Sequence, residues 1–218
     1  MPSLLPSFWK PGFVNNPNFH AGAAVNHNTS TLFNGGQCDI WQDAAAIDAV
    51  LHTMTTDLQT LLQQRNIQNP LLLGIHTGGV WIAQRLHAQL GLTQPPGYLD
   101  ISFYRDDFTR AGMHPQVRPS SLPIGIDNRH LILVDDVLAT GRTIRAALNV
   151  LFDYGRPASV LLAILAERSG RELPIAPDVV GLQSPFDSGV QLKLLGPNPL
   201  QLLRVHAPYR ITEQVRQP

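Results

Sequence analysis

The sequence predicts an α/β fold with a mainly parallel central sheet flanked by helices. Three observations carry that expectation. The runs "LLLGI", "HLILV" and "ASVLLAILA" are apolar at nearly every position, as strands buried on both faces are. The first two are followed by stretches with helical spacing, "VWIAQRLHAQL" and "RTIRAALNVLFDY", and alternating strands and helices build parallel sheets. With 218 residues, 44% hydrophobic and 15% charged, the chain can bury one full-sized core with an appendage.

Residues 1–37 stand apart. Lys10 is their one charged residue, set among repeated Pro, Asn, Gly, Ser and Thr, so no helical or strand periodicity develops. An extended N-terminal arm is expected. Its aromatic residues Phe8, Trp9, Phe13, Phe19 and Phe33 leave open whether it is pinned to a partner subunit or hangs free. A single domain is expected over 38–210, with a short tail at 211–218.

Within the domain, Ile47, Val50, Leu51, Met54, Leu58, Leu61 and Leu62 predict an amphipathic helix to about Arg65, capped by Asp39 or Asp43. A buried strand over 70–75, a tight turn at "HTGG" and a helix follow. "GYLDISFY" (97–104) alternates as a strand does. The proline-containing segment from Arg105 to Asn128 reads as a long loop, of a length that is usually functional. "HLILVDD" is a buried strand, and the helix after it stops at Gly155 and Pro157. "ASVLLAILA", "DVVGLQ" and "LQLLRVHA" complete the strands.

Composition removes several classes of function. The 16 basic residues balance 16 acidic ones, so nothing draws the whole chain to nucleic acid or anionic lipid, and any such contact needs a local patch. Only Lys10 and Lys193 are lysines, leaving arginine to do any phosphate recognition. Cys38 is alone, which excludes an intramolecular disulfide and a thiolate metal cluster. No run reaches the roughly 18 apolar residues of a membrane span. The start "MPSLLPSFWKPGFV" lacks a basic lead and a continuous apolar segment, so a cytoplasmic location without membrane contact is expected.

The chemistry concentrates in "HLILVDDVLATGRT", 130–143. In an open parallel sheet ligands bind where strands end and helices begin, and Asp135 and Asp136 sit at such an edge. The turn Ala139, Thr140, Gly141, Arg142, Thr143 offers free N–H groups and two hydroxyls at a helix N-terminus, which suits a phosphate monoester. Phosphate beside paired carboxylates suggests a sugar phosphate: the turn takes the phosphate and the acids take vicinal hydroxyls. The acids would also stabilise positive charge on the ring as the anomeric bond breaks. A P-loop NTPase is excluded because no G-x-x-x-x-G-K-[ST] occurs, and the glycines form no dinucleotide fingerprint. Two surface acids capping the next helix remain the plain structural alternative.

"LILVDDVLATGRT" resembles the phosphoribosyl-diphosphate (PRPP) motif of type I phosphoribosyltransferases. Residues from about 71 to 183 resemble the PyrR family of pyrimidine-operon regulators and uracil phosphoribosyltransferases, through "LLLGIHTGG", "DISFYRDDF", "YGRPASVLLAIL" and "ERSGRELPIAPDVVG" in that order. The resemblance implies a five-stranded parallel core with a small hood. It implies that Asp135 and Asp136 hold the ribose hydroxyls and that Ala139 to Thr143 hold the 5′-phosphate. His76, Thr77, Gly78 and Gly79 would form the pyrophosphate loop, and Val180 and Gly181 would lie beside the base. Arg105 and Asp106 would begin the loop closing over PRPP, with Mg²⁺ met by Asp135, Asp136 and Asp106. It further implies a homo-oligomer, conversion of uracil and PRPP to UMP and diphosphate, and an RNA face to which Arg168 and Arg171 would contribute. A UMP- or UTP-sensing regulator with little catalysis is the alternative.

Three departures from the family pattern matter. Purine-type relatives usually place Asp where Ala139 stands, so a pyrimidine suits this chain better. The pyrophosphate loop typically reads Lys-Thr-Arg-Gly; "HTGG" replaces two permanent cations with one imidazole, and His76 reads equally well as a plain turn residue. On that pattern, a large gain in a Gly78→Arg variant would mark a detuned loop. The base-side Gly-Lys-Asn-Ile-Pro-Thr becomes "GLQSPF", 181–186, which leaves uracil recognition to the backbone. For Arg168 and Arg171, a local salt bridge competes evenly with RNA.

Overall fold

Apolar runs without polar alternation become the inner strands of a five-stranded sheet covered on both faces. The computed structural model describes residues 31–33, 36–101, 120–187 and 189–206. In chain order these hold β1 (Thr31–Phe33), β2 (Gly36–Gln42), α1 (Ala44–Gln64), β3 (Leu71–Ile75), α2 (Gly78–Leu90) and β4 (Gly97–Leu99). There follow β5 (His130–Leu138), α3 (Arg142–Tyr154), β6 (Ser159–Glu167), β7 (Val179–Gln183), β8 (Val190–Leu195) and β9 (Gln201–His206).

The larger sheet has the order β4-β3-β5-β6-β7 with every pair parallel. Register aligns Leu71 with Leu131 and Leu131 with Val160, so side chains of like parity share a face. One face carries Leu72, Ile132, Val134, Leu161, Ala163 and Leu165 and packs beneath α1 and α2. The other carries Leu71, Leu73, Leu131, Leu133, Leu162 and Ile164 and packs on α3. The order in which strands are added reverses between β3 and β5, the switch point at which open α/β sheets form their ligand crevice.

Helix α1 buries Ile47, Val50, Leu51, Met54, Leu58 and Leu62, the stripe its spacing predicts. Asp43 is its cap, with a carboxylate oxygen accepting from Ala46 N–H at 2.9 Å. Asp39, the other candidate, instead pairs with Arg204. The end of the long loop is also fixed: Tyr98 and Ser121 exchange two backbone hydrogen bonds of 2.8 Å, tying residue 121 to the sheet edge.

The second sheet is antiparallel, in the order β1-β2-β9-β8, and is the expected hood. Two features add to the sequence reading. Strand β1 and the first two residues of β2 fall within the expected arm, and β2 runs on across 37/38 into the domain. Strand β8, not anticipated, pairs with β9 from Val190↔His206 to Leu195↔Gln201 and turns Leu192 and Leu194 into the core. Residues 1–30 of the arm and the 211–218 tail lie outside the described residues.

Candidate active site

All five parallel strands deliver their C-terminal ends to one edge, and Asp135, Asp136, the 76–79 turn and the 139–143 turn lie along it. β3 leads into 76–79, β5 carries Asp135 and Asp136 and leads into 139–143, β6 ends at Glu167 before 168–171, and β7 ends at Gln183 before 184–186. Backbone hydrogen bonds beyond the strands lock these ends together. His76 N–H donates to Leu99 O at 2.9 Å, Arg168 N–H to Leu138 O at 2.9 Å, and Ser184 N–H to Glu167 O at 2.7 Å. The His76–Thr77 peptide is cis.

Asp135 is buried at 4% exposure, and Asp136 is half-buried beside it. Each carboxylate accepts from the next backbone amide: Asp136 N–H to Asp135 Oδ1 and Val137 N–H to Asp136 Oδ1, both 3.0 Å. These bonds hold the negative charges in place at the strand end.

Gly141, with φ +91°, turns the chain from strand into α3. That left-handed conformation favours glycine, and a Cβ there would also press within 3.3 Å of Leu173 Cβ. Arg142 N–H reaches Thr140 Oγ1 at 3.3 Å, and Arg145 N–H closes the first helical turn on Gly141 O at 2.9 Å. The amides at the start of α3 thus follow directly on the strand that carries the two acids. Thr143 is half-buried in the first turn.

Across the crevice, His76 is half-buried, with its ring 6.0 Å from Tyr98, and Thr77 is exposed. Gly78 and Gly79 are buried and open α2. A Cβ on Gly78 would fall on the Asp136 carboxylate and 2.8 Å from Asp136 Cβ. One on Gly79 would strike Val134 O and lie 3.0 Å from Asp135 Cα. The two glycines let α2 begin against the end of β5, which brings both turns to the two acids.

The remaining candidates fall into three groups. Val180 and Gly181 lie on β7, where a Gly181 Cβ would sit 2.6 Å from Val50 Cγ1 and 2.8 Å from Met54 Sδ, so that glycine is demanded by packing on α1. Arg171 is engaged within the protein: Nε donates to Ala139 O at 3.1 Å, and the guanidinium pairs with Glu167. Arg168 is half-buried at the end of β6. Arg105 and Asp106 lie outside the described residues.

The parallel core, its switch-point crevice and the paired acids beside a phosphate-type turn frame the comparisons with known proteins. A model of the phosphoribosyl transferase domain matches residues 46–195. The Bifunctional protein PyrR of Pseudomonas paraeruginosa is 59% identical over 155 residues, spanning 71% of this chain and 91% of that protein. Its counterpart in Nitrosococcus oceani is 57% identical over 157 residues, spanning 71% and 89%.

This chain belongs to the PyrR family.

Among solved structures, a Trypanosoma cruzi hypoxanthine phosphoribosyl transferase is similar, with a TM-score of 0.60 at 17% identity, covering 85% of this chain and 95% of that one. That likeness is one of fold. The PyrR assignment comes from the sequence relatives.

The PyrR-family chain also carries groups at this edge that sequence reasoning passed over. Glu167 contacts both Arg171 and Gln183, whose Nε2 donates to Glu167 Oε2 at 2.9 Å. Phe186 packs edge-on against Trp41 at 5.1 Å, with the Arg204 guanidinium 5.4 Å above its ring. Hydrogen bonding to Asp39 holds the Arg204 guanidinium above its ordinary pKa. A lone acid closing an apolar strand was the available signal for Glu167. Nothing local marked Trp41, since its partner lies far along the chain.

Family membership brings the question of Mg²⁺. Among the described residues no three His, Cys, Asp or Glu side chains converge on a metal position. Asp135 and Asp136 supply two hard-oxygen donors at the crevice, which suits an ion that takes its other ligands from water and a diphosphate. The donor set fits.

Proposed function

We propose that this chain transfers the phosphoribosyl group of PRPP to uracil, giving UMP and diphosphate, in the cytoplasm. The observation that carries the reading is the juxtaposition of Asp135 and Asp136 with the 139–143 turn on one side and the 76–79 turn on the other. Family membership and the 59% identity to a Bifunctional protein PyrR support it.

In this reading the amides and hydroxyls of Thr140 to Thr143 hold the 5′-phosphate, and Asp135 and Asp136 hold the ribose hydroxyls. The anomeric C1′–O bond to diphosphate breaks as the C1′–N1 bond to uracil forms, and the N1 proton is released. The two carboxylates stabilise the positive charge that develops on the ring, with no general base required. Asp135 and Asp136 would hold Mg²⁺ arriving with PRPP, and the ion would supply charge neutralisation to the diphosphate; Asp106, expected to join them, lies outside the described residues. Ala139, lacking a carboxylate, suits a base without the purine imidazole nitrogen.

Pyrophosphate release with PRPP, uracil and Mg²⁺ tests this directly. Activity should appear in the wild type and fall at least about 100-fold in Asp135→Asn or Asp136→Asn, the scale of removing one preorganised electrostatic contact. A purine base in place of uracil should give little release. Wild-type protein that binds PRPP but releases no diphosphate with any pyrimidine would overturn the reading in favour of a nucleotide-sensing regulator. Arg171 donates to Ala139 O and pairs with Glu167, so part of the charge it would bring to an RNA-binding surface is taken up inside the protein.

A further inference from the structure

We infer that Glu167 is a positioning residue that ties the phosphate turn to the base-side end of β7, so that the two halves of a nucleotide are recognised together. The inference rests on the phosphoribosyl reading above and adds a coupling to it.

Glu167 closes β6, and its side chain is only 22% exposed. Its two carboxylate oxygens serve different elements. Oε1 pairs with Arg171, whose Nε donates to Ala139 O at 3.1 Å. Oε2 accepts from Gln183 Nε2 at 2.9 Å, while the Glu167 carbonyl accepts from Ser184 N–H at 2.7 Å. One carboxylate thus spans the distance from the turn after β5 to the end of β7, and charge-assisted bonds on both oxygens hold it in place.

The consequence at the turn follows from peptide planarity. In a trans peptide the C=O and the next N–H point in opposite directions. Arg171 on Ala139 O therefore aims Thr140 N–H away from itself. The amides of Glu172 and Leu173, both donating to Thr140 O at 3.1 and 3.0 Å, aim Gly141 N–H in the same manner. Two successive donors of the turn are oriented from the 171–173 segment, and Glu167 anchors the arginine that begins it. At the other end, Gln183 and Ser184 open the segment that runs on to Phe186 and its contact with Trp41.

Two ligands separate coupling from plain support. Ribose 5-phosphate engages the turn and the acids alone, whereas UMP engages the base side as well. In calorimetric titrations, Glu167→Gln should weaken UMP about ten-fold and ribose 5-phosphate by a smaller factor, about three-fold, through the loosened turn. Gln183→Ala should weaken UMP similarly and leave ribose 5-phosphate unchanged, and the double variant should be no worse for UMP than either single one. Equal losses for both ligands would reduce Glu167 to local support of the turn. Multiplicative losses in the double variant would make the two contacts independent, and a lowered Tm with both affinities intact would make the pair merely structural; each of these overturns the inference. Wild-type protein that binds neither ligand would instead sink the phosphoribosyl reading itself.

Discussion

A side chain at position 78 would start inside the Asp136 carboxylate, and that changes what the missing loop cation means. From sequence, an arginine restored at 78 looks like a way to recover charge for a leaving diphosphate. In the folded chain it must first displace one of the two acids. Rotating Asp136 about its side-chain bonds is not enough, because its Cβ, fixed to the backbone, lies 2.8 Å from the new atom. Gly78→Arg should therefore lower kcat/KM for PRPP by at least ten-fold, about 1.4 kcal/mol of transition-state stabilisation. A gain in the same pyrophosphate-release assay would refute it. At the neighbouring glycine the obstacle is the Val134 backbone carbonyl, which cannot swing aside. Gly79→Ala should cost about 1–3 kcal/mol as overpacking does. The thermal midpoint should fall by roughly 2–4 °C for each kcal/mol.

Elements differ in how plainly the sequence announces them. Helix α1 was readable because one stripe of apolar residues repeats through it and a cap stands at its head. Asp43→Ala should remove the bond to Ala46 N–H and cost about 1 kcal/mol, seen as a midpoint lowered by roughly 2–4 °C. The same substitution at Asp48, exposed farther along the helix, should change little. β3, β5 and β6 were readable because burial on both faces leaves nothing but apolar residues. β2 and β8 were not, and the reasons are physical. "GQCDIWQ" is held as a strand by β1 on one side and, from the far end of the chain, by β9 on the other, at Cys38↔Val205 and Ile40↔Leu203. No local pattern encodes a partner so distant. "VQLKLL" does alternate, burying Leu192 and Leu194, but it lies among Gly and Pro residues that read as a loop. The turn at 139–143 was legible as a turn, since Gly141 marks where the chain leaves β5 for α3. Its support from Arg171 and Glu167 was not, because those bonds run between elements.

For the whole molecule, the two sheets divide the work. The parallel core owns the acids and both turns, while the antiparallel hood is closed by the two ends of the described chain. The Asp39–Arg204 pair joins β2 to β9, and Arg204 also lies over Phe186, so hood strands and the segment after β7 form one packed unit. Trp41 stands at the joint, on β2 but against Phe186 and the main core. Loosening that joint should disturb the base end of the site far more than the phosphate end. Full truncation of a buried tryptophan costs about 3–5 kcal/mol, and Trp41 is half-buried, so Trp41→Ala should cost about 2 kcal/mol. At that cost the midpoint should drop by roughly 4–8 °C. Steady-state kinetics below that midpoint should show KM for uracil raised several-fold while KM for PRPP stays within about two-fold. Trp41→Phe, which keeps an aromatic face for Phe186, should recover most of both effects. If the two KM values instead rise together, the hood supports the whole crevice evenly, and the division between a phosphate-binding core and a base-facing hood does not hold.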